Sequence, residues 1–244
     1  MMVLSKTRFI AGSQCHKLLW YMTNAKEQIP PPQGLLRVAF DRGHAFGDAI
    51  KRLFPNGEEV NWNASFQTGL SQTQEYVRRR IPIFEAGFTA NGCHARADVL
   101  NPAENMEWDI VEVKNSETVM PVFCLDVAFQ RHCFRAAGLS IRRCFILTPD
   151  RKYISDDRGT KVIWNDVTSE VDAHSTRIEE RTRELSAIAE QAESPIVETG
   201  DHCMCPYVCQ MYKVCHGTRH ARTRLQRMAE ILRWALRQVV TRDR

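Results

Sequence analysis

The stretch "PIFEAGFTANGCHARADVLNPAENMEWDIVEVKN", residues 82–115, differs in kind from the sequence on either side of it. Apolar and polar residues alternate along it, and the pairs Asn91-Gly92 and Asn101-Pro102 mark turns. Alternation interrupted by turn residues is typical of antiparallel strands joined by short connections. We therefore predict three antiparallel strands, at about residues 82–90, 93–100 and 107–115.

Three charged side chains of this stretch form a candidate catalytic group. Residues two apart on a strand share a face, so Glu112 and Lys114 project together, whereas Val113 points the other way. Asp98 lies near the end of the preceding strand, and a hairpin can bring it beside Glu112. Two carboxylates at a sheet edge suit a hard divalent cation, and a neighbouring lysine can stabilise a reacting phosphate. A Glu–Lys pair on an exposed strand is also common, so the pair alone does not decide the function.

The elements around these strands indicate an α/β domain with a central sheet. Helical spacing of apolar residues runs through about residues 36–53, 71–80 and 119–138, the last ending at Gly138. Residues 141–154 and 160–168 are predicted to form further strands, and residues 169–193 a charged helix. Helices that precede and follow a run of strands favour a sheet covered by helices.

Gln130 is the unusual residue of the predicted helix at 119–138, because it shares a face with Phe123, Val127 and Phe134. A buried glutamine needs hydrogen-bond partners. A backbone group, a catalytic group or a nucleic-acid strand would each satisfy it.

The order of these motifs resembles the PD-(D/E)XK nuclease superfamily, and its RecB-like branch in particular. An Asp is followed by Glu-x-Lys on a strand and then by Gln-x-x-x-aromatic on a helix. The Gln-x-x-x-Tyr motif of the branch is matched by "QRHCF", with Phe134 in place of tyrosine. The branch also places a metal-binding histidine on an N-terminal helix, where "RGHAF" offers His44. The resemblance implies a restriction-endonuclease-like α/β core, with a central mixed β-sheet flanked by helices.

The resemblance also implies roles for individual residues. It implies that a divalent cation is bound by the side chains of His44, Asp98 and Glu112 and by the backbone carbonyl of Val113. The imidazole ligand favours Mn²⁺ over Mg²⁺, although either ion is expected to serve. Lys114 would position the attacking water, and Gln130 would hold the substrate or the lysine. Glu85 is a weaker candidate for the acidic group.

A second candidate site is the segment "CMCPYVCQMYKVC", which starts at Cys203 and ends at Cys215. Cys203, Cys209 and Cys215 are each separated by five residues, and Cys205 is additional. Four thiolates suit either zinc or an iron–sulfur cluster. The paired Cys-x-x-Cys spacing of many zinc sites is missing, which counts against zinc.

One kind of RecB-like nuclease, including the CRISPR-associated adaptation exonuclease and the nuclease domain of AddB, holds an iron–sulfur cluster with one cysteine upstream of the nuclease core and three downstream. Cys15, in "GSQCHKLLWY", takes the upstream position. The resemblance implies a [4Fe-4S] cluster that joins the N- and C-terminal segments, with the ligands Cys15, Cys203, Cys209 and Cys215. Similarity to a bacterial family with the pattern G-x-H-C…P-Y-x-C…C favours Cys203 over Cys205. Four further cysteines are predicted to be small buried apolar residues: Cys93, Cys124, Cys133 and Cys144.

The C-terminal segment is basic and amphipathic. The chain of 244 residues carries a net charge of +4, but residues 219–244 alone hold eight arginines against two acidic residues. We predict a nuclease domain at residues 1–217 and a basic helix at residues 218–244. Arg222 and Arg227 are candidate contacts for DNA phosphates, although a solvated helix face explains the charge equally well. The apolar face of the helix is a candidate oligomer contact.

The sequence lacks any run of apolar residues long enough to cross a bilayer, and the N-terminus has no apolar secretory core. We therefore expect a cytoplasmic protein without a membrane partner, in which thiols stay reduced. The implied function is a metal-dependent DNA nuclease, an exonuclease on DNA ends or single strands, with protein partners in DNA repair, CRISPR adaptation or phage-related defence. Two alternatives stay open: a catalytically silent DNA-binding or adaptor module of the same fold, and a zinc-stabilised interaction protein.

Overall fold

The structure is a computed structural model that describes residues 3–31, 46–150 and 161–216. The chain divides into two compact units. Within these described ranges, the first comprises residues 3–6, 46–150 and 161–180, and the second comprises residues 7–31 and 181–216. Among the described residues, no helix has the length and apolar character needed to span a membrane.

The first unit is built on a mixed sheet that has seven strands in the described part of the chain. The strands are β1 (Leu4–Ser5), β2 (Glu58–Glu59), β3 (Ile83–Ala90), β4 (Cys93–Pro102), β5 (Trp108–Val113), β6 (Ile141–Pro149) and β7 (Val162–Asp166). The order is β2-β3-β4-β5-β6-β7, and β1 pairs with β4. The pairs β3–β4 and β4–β5 are antiparallel, as predicted, whereas β5–β6 is parallel.

Helices follow and precede these strands as the sequence indicates. They are α1 (Lys6–Gln14), α2 (His16–Asn24), α3 (46–51), α4 (Phe66–Arg79), α5 (Pro121–Ala136), α6 (Thr168–Ala189) and α7 (Tyr212–His216), with short 3-10 turns at Lys26–Gln28 and Asp201–Cys203. The protein thus has a mixed α/β architecture, with a curled central mixed sheet flanked by helices. This architecture is compatible with the predicted restriction-endonuclease-like core.

The two turns predicted within the strand region have different outcomes. Asn91-Gly92 forms the tight β3–β4 connection, with φ values of 49° and 74°, because these two residue types tolerate positive φ at little cost. The turn predicted at Asn101-Pro102 is wrong, since β4 continues through both residues and Pro102 pairs with Trp108. Proline is tolerated there because it occupies the last paired position, where a missing N–H disturbs the ladder least. The chain reverses instead at Asn105-Met106, both with positive φ.

Helix α5 is the central helix of the first unit. Twelve of its sixteen residues are buried, so polar side chains at Asp126, Gln130 and Arg131 are enclosed together with apolar ones. The helix ends at Ala136, and Gly138 terminates it as predicted, with a φ of +93° and a backbone N–H that donates to the carbonyl of Arg135. A separate apolar cluster packs α3 and the turn after it against the sheet: Phe46, Ile50, Phe54, Phe84, Val99, Val111 and Leu147.

The four cysteines predicted as small apolar residues are all buried: Cys93, Cys124, Cys133 and Cys144. Burial raises the pKa of the Cys133 and Cys144 thiols to about 12 and that of Cys124 to about 11. These thiols therefore stay protonated at neutral pH, which makes them poor nucleophiles and poor metal ligands.

Candidate active site and cysteine site

The β4–β5 pairing brings Asp98 beside Glu112, as the hairpin argument predicts. Val99 pairs with Val111, and one further step along this register sets Asp98 opposite Glu112. The backbone N–H of Val113 donates to Oδ2 of Asp98 over 2.7 Å, which fixes the carboxylate against the neighbouring strand. Glu112 is only 1% exposed, whereas Asp98 is partly exposed. The two carboxylates thus lie side by side on neighbouring strands of the sheet.

Three donors hold the Glu112 carboxylate. Nζ of Lys114 donates to Oε1 over 2.6 Å, and Nζ of Lys6 donates to the same oxygen over 3.0 Å. Nε2 of Gln130 donates to Oε2 over 2.8 Å. A buried carboxylate needs such compensation, because an unpaired charge there is strongly disfavoured.

Helix α5 adds a third carboxylate, Asp126. Its side chain accepts from Lys114 over 3.0 Å and from Gln130 over 3.2 Å, and Nζ of Lys6 lies 3.5 Å away. Oε1 of Gln130 is buried, and no hydrogen-bond partner is found for it among the described residues. A buried acceptor without a partner is unfavourable, so this oxygen is available to a donor such as a water or a substrate group.

Burial and the charges of this network shift the pKa values of its ionisable side chains. Burial, helped by the negative charge of Glu112, raises the pKa of Asp98 to about 7, against the opposing influence of Lys6 and Lys114. Burial alone would also raise the pKa of Glu112, but the ammonium groups of Lys114 and Lys6 hold it well below its usual range. Burial lowers the pKa of Lys114, but Asp126, Glu112 and Asp98 outweigh it, so the net pKa lies well above its usual range. The site therefore combines a permanently charged glutamate and lysine with an aspartate that titrates near neutrality.

The donor set suits a divalent cation only in part. Within the ranges that the structure describes, no three His, Cys, Asp or Glu side chains are grouped so that they could hold a metal ion. The predicted ligand His44 lies outside the described residues. Asp98 and Glu112 supply hard oxygen ligands side by side. The pKa of Asp98 is raised mainly by burial and further by the negative charge of Glu112, and a bound cation would offset both effects. The two carboxylates therefore fit as part of a divalent-cation site, and the assignments of His44 and of the Val113 carbonyl stay predictions.

The sequence analysis missed two members of the network, Lys6 and Asp126. Lys6 is 106 residues from Glu112 along the chain, and nothing in its sequence context distinguishes it from a surface lysine. Asp126 is four residues before Gln130, and this spacing places both on one helix face. That pattern was available in the sequence and indicates a second buried polar residue beside Gln130.

Glu85 lies at the margin of the site, next to Asp98 on the neighbouring strand. Its φ of 57° is unusual for a non-glycine residue in a strand. One oxygen lies 3.8 Å from Nη1 of Arg96. Burial raises the pKa of Glu85, and the charge of Glu112 raises it further, while Arg96 and Lys6 oppose the shift. Glu85 is thus electrostatically connected with the site but is paired with an arginine.

The four predicted cluster ligands meet at one place in the second unit. A cavity of about 20 Å³ has Cys15, Cys203, Cys209 and Cys215 among its lining residues. Burial raises the pKa of Cys209 to about 12, and the other three thiols add to the rise. Cys205 is buried but is not among the lining residues of this cavity.

Local hydrogen bonds hold this cysteine arrangement together. Nε2 of Gln14, the residue before Cys15, donates to the carbonyls of His202 and Tyr207, each over 2.7 Å. The backbone N–H of Cys209 donates to the carbonyl of Cys203 over 2.8 Å. Four thiols around one small cavity have the ligand chemistry that an iron–sulfur cluster requires, although in the described part of the chain no three of them are grouped closely enough to hold a metal ion. Their ligation of a cluster stays a prediction.

The remaining candidate contacts fall outside the described residues. These are Arg222 and Arg227, together with the predicted helix at residues 218–244 and its boundary with the domain at 1–217.

No protein-family model matches the chain, and no curated protein matches it. One similar solved structure is described as the crystal structure of SSO0001; it is 12% identical, the match covers 89% of this chain and 87% of that one, and the TM-score is 0.44. Another is LHK-Exo in complex with dAMP, at 16% identity, with 77% of this chain and 90% of that one covered and a TM-score of 0.33.

Proposed function

We propose that this protein is a metal-dependent deoxyribonuclease that hydrolyses phosphodiester bonds at DNA ends or in single strands. The observation that carries the proposal is the arrangement around Glu112: Asp98 faces it from β4, Lys114 donates to it from β5, and Gln130 donates to it from α5. Paired carboxylates beside a lysine provide cation binding and charge stabilisation in one place, as phosphate hydrolysis requires.

A divalent cation bound by Asp98 and Glu112 would activate a water molecule and polarise the scissile phosphate. Lys114 has its pKa held well above the usual range, so it is protonated at neutral pH. It therefore donates hydrogen bonds to the attacking water or the reacting phosphate and does not act as the base. Its contacts with Glu112 and Asp126 limit where the ammonium group can lie. Gln130 holds Glu112 with its amide and offers its free oxygen to a further donor.

The test is cleavage of end-labelled DNA by anaerobically purified protein with Mn²⁺ or Mg²⁺, using single strands and duplexes. Lys114→Met is expected to abolish cleavage while Mn²⁺ binding is retained, because the ammonium group acts mainly in the transition state. Lys51→Met is the matched control. Lys51 is also ion-paired, but its partners Asp48 and Glu59 are not part of the proposed active site. If Lys114→Met cut DNA at the wild-type rate, the assigned mechanism would be wrong. Wild-type protein that binds DNA but never cuts it would favour a silent binding module.

We also propose that the four cysteines lining the shared cavity hold a [4Fe-4S] cluster. The shared cavity of Cys15, Cys203, Cys209 and Cys215 supports this proposal. Metal analysis of anaerobically purified protein distinguishes the alternatives. Iron with a brown colour is expected, at about four irons per chain, whereas stoichiometric zinc without colour would indicate a zinc-stabilised protein.

A further inference from the structure

An aromatic patch lies on the first unit beside the carboxylate site. Three rings form it: Trp62 and Phe66 have centroids 5.8 Å apart, Trp62 and His94 5.5 Å, and Phe66 and His94 4.9 Å. Phe66, the first residue of α4, is 51% exposed. Exposure of a large apolar side chain to water does not stabilise the fold. Trp62 and His94 are partly exposed, and an exposed apolar patch often marks a binding surface.

The patch is held in place by its surroundings. Nε1 of Trp62 donates to the carbonyl of Glu85 over 2.9 Å. A Cβ atom on Gly69 or Gly87 would come within 2.3 Å or 2.2 Å of the Trp62 ring, so both glycines allow the ring to lie directly on the backbone of α4 and β3. The patch is therefore preformed, with the three rings inclined to one another by 45° to 71°.

Arg96 connects the patch with the carboxylate site. Its guanidinium lies over the Trp62 ring, 5.2 Å from the centroid, and 3.8 Å from Glu85. Arg96 and His94 precede Asp98 on β4 by two and four residues. His94 of the patch is therefore at most about 13 Å from Asp98 along the strand. A short run of nucleotides in an extended single strand spans such a distance. The side chain of Arg96 is 46% exposed, and it can therefore reach a phosphate as well.

We propose that Trp62, Phe66 and His94 form a stacking subsite for the bases of single-stranded DNA whose scissile phosphate lies at Asp98 and Glu112. The inference rests on the proposed nuclease function, and it names the form of DNA that the site takes. Aromatic rings stack on any base, so the subsite is insensitive to sequence. It discriminates against duplex DNA, because paired bases are stacked on each other and do not present a free face. Arg96 adds a phosphate contact and a cation–π contribution.

The test compares binding of three fluorescent ligands by anisotropy in EDTA, where metal-dependent cleavage cannot occur: an oligothymidine, an abasic strand of the same length, and a duplex. Phe66→Ala is expected to weaken binding of the oligothymidine by roughly five-fold to a hundred-fold and to leave binding of the abasic strand unchanged. Phe66→Tyr should retain the wild-type affinity, whereas Phe66→Leu should lose it, because only tyrosine keeps the ring. Met106→Ala, which removes a large apolar side chain that is 72% exposed elsewhere, serves as the control and should not alter binding.

The outcomes separate this inference from the nuclease proposal. Equal losses for the oligothymidine and the abasic strand, or wild-type affinity in Phe66→Leu, would overturn the stacking subsite even if the protein cuts DNA. Wild-type protein that binds the duplex as tightly as the oligothymidine would overturn it as well. Phe66-dependent binding of the oligothymidine without any cleavage in Mn²⁺ would support the subsite and reject the nuclease.

Discussion

Replacing Lys6 with methionine tests whether the second lysine at the carboxylate site balances the charge of the metal-free protein. In the structure, Nζ of Lys6 lies 3.0 Å from Oε1 of Glu112 and 3.5 Å from Oδ1 of Asp126. Methionine retains most of the side-chain volume and removes only the charge. The variant leaves three carboxylates, those of Asp98, Glu112 and Asp126, with Lys114 as the remaining ammonium group.

The expected size of the effect follows from these contacts. A hydrogen bond to a charged group contributes about 1.5–3 kcal/mol to stability. Glu112 retains two other donors, and the Lys6 side chain is 24% exposed, so we expect a loss of about 2 kcal/mol, in the lower part of that range. For a chain of this size, the melting temperature of the metal-free protein should fall by about 4–8 °C.

Mn²⁺ should reduce the difference in stability between Lys6→Met and the wild type. Lys6 competes with a cation for Oε1 of Glu112, so its removal is expected to tighten Mn²⁺ binding by roughly ten-fold to thirty-fold, the equivalent of about 2 kcal/mol. Scanning fluorimetry without metal and isothermal titration with Mn²⁺ measure the two effects. Lys51→Met is the matched control, because the partners of Lys51 are exposed and such a pair is worth less than about 1 kcal/mol. Equal melting temperatures for the two variants, or an unchanged Mn²⁺ affinity in Lys6→Met, would refute the reasoning.

Three further predictions concern other parts of the molecule. Cys209→Ser should lower the iron content of anaerobically purified protein, whereas Cys205→Ser should not, because Cys205 does not line the shared cavity; equal iron loss in both variants would contradict this. Gly87→Ala should destabilise the protein by about 1–3 kcal/mol in urea unfolding, because the new methyl group would meet the Trp62 ring, and an unchanged midpoint would speak against this packing. The pKa of Asp98 is raised from 3.8 to about 7, so the stability linked to its proton is present at low pH and lost as pH rises through about 7. The melting temperature of Asp98→Asn minus that of the metal-free wild type should therefore increase from about pH 5 to about pH 8. A temperature difference that does not vary with pH would exclude the assigned pKa shift.

The amino-acid sequence by itself determined the strands and the central helix on which the site is built. Alternating apolar residues and the Asn91-Gly92 turn predict β3 and β4, and helical spacing ended by Gly138 predicts α5. These patterns are local, because the repeat of apolar residues that marks a strand or a helix can be recognised within a short stretch of the chain. They also indicated that a hairpin can bring Asp98 beside Glu112, although the register of that hairpin depends on a turn at Asn105-Met106 that the sequence analysis did not predict.

The tertiary structure alone decided which distant residues complete each site. Lys6 reaches Glu112 from 106 residues away, and no periodicity relates them. The aromatic patch likewise depends on Trp62 lying over Gly87 and beside His94, residues of a loop and of two strands that only the folded sheet brings together. Contacts of this kind depend on how packed elements approach one another in space, and that approach is set by burial of the whole core and is not encoded in any short stretch of the chain.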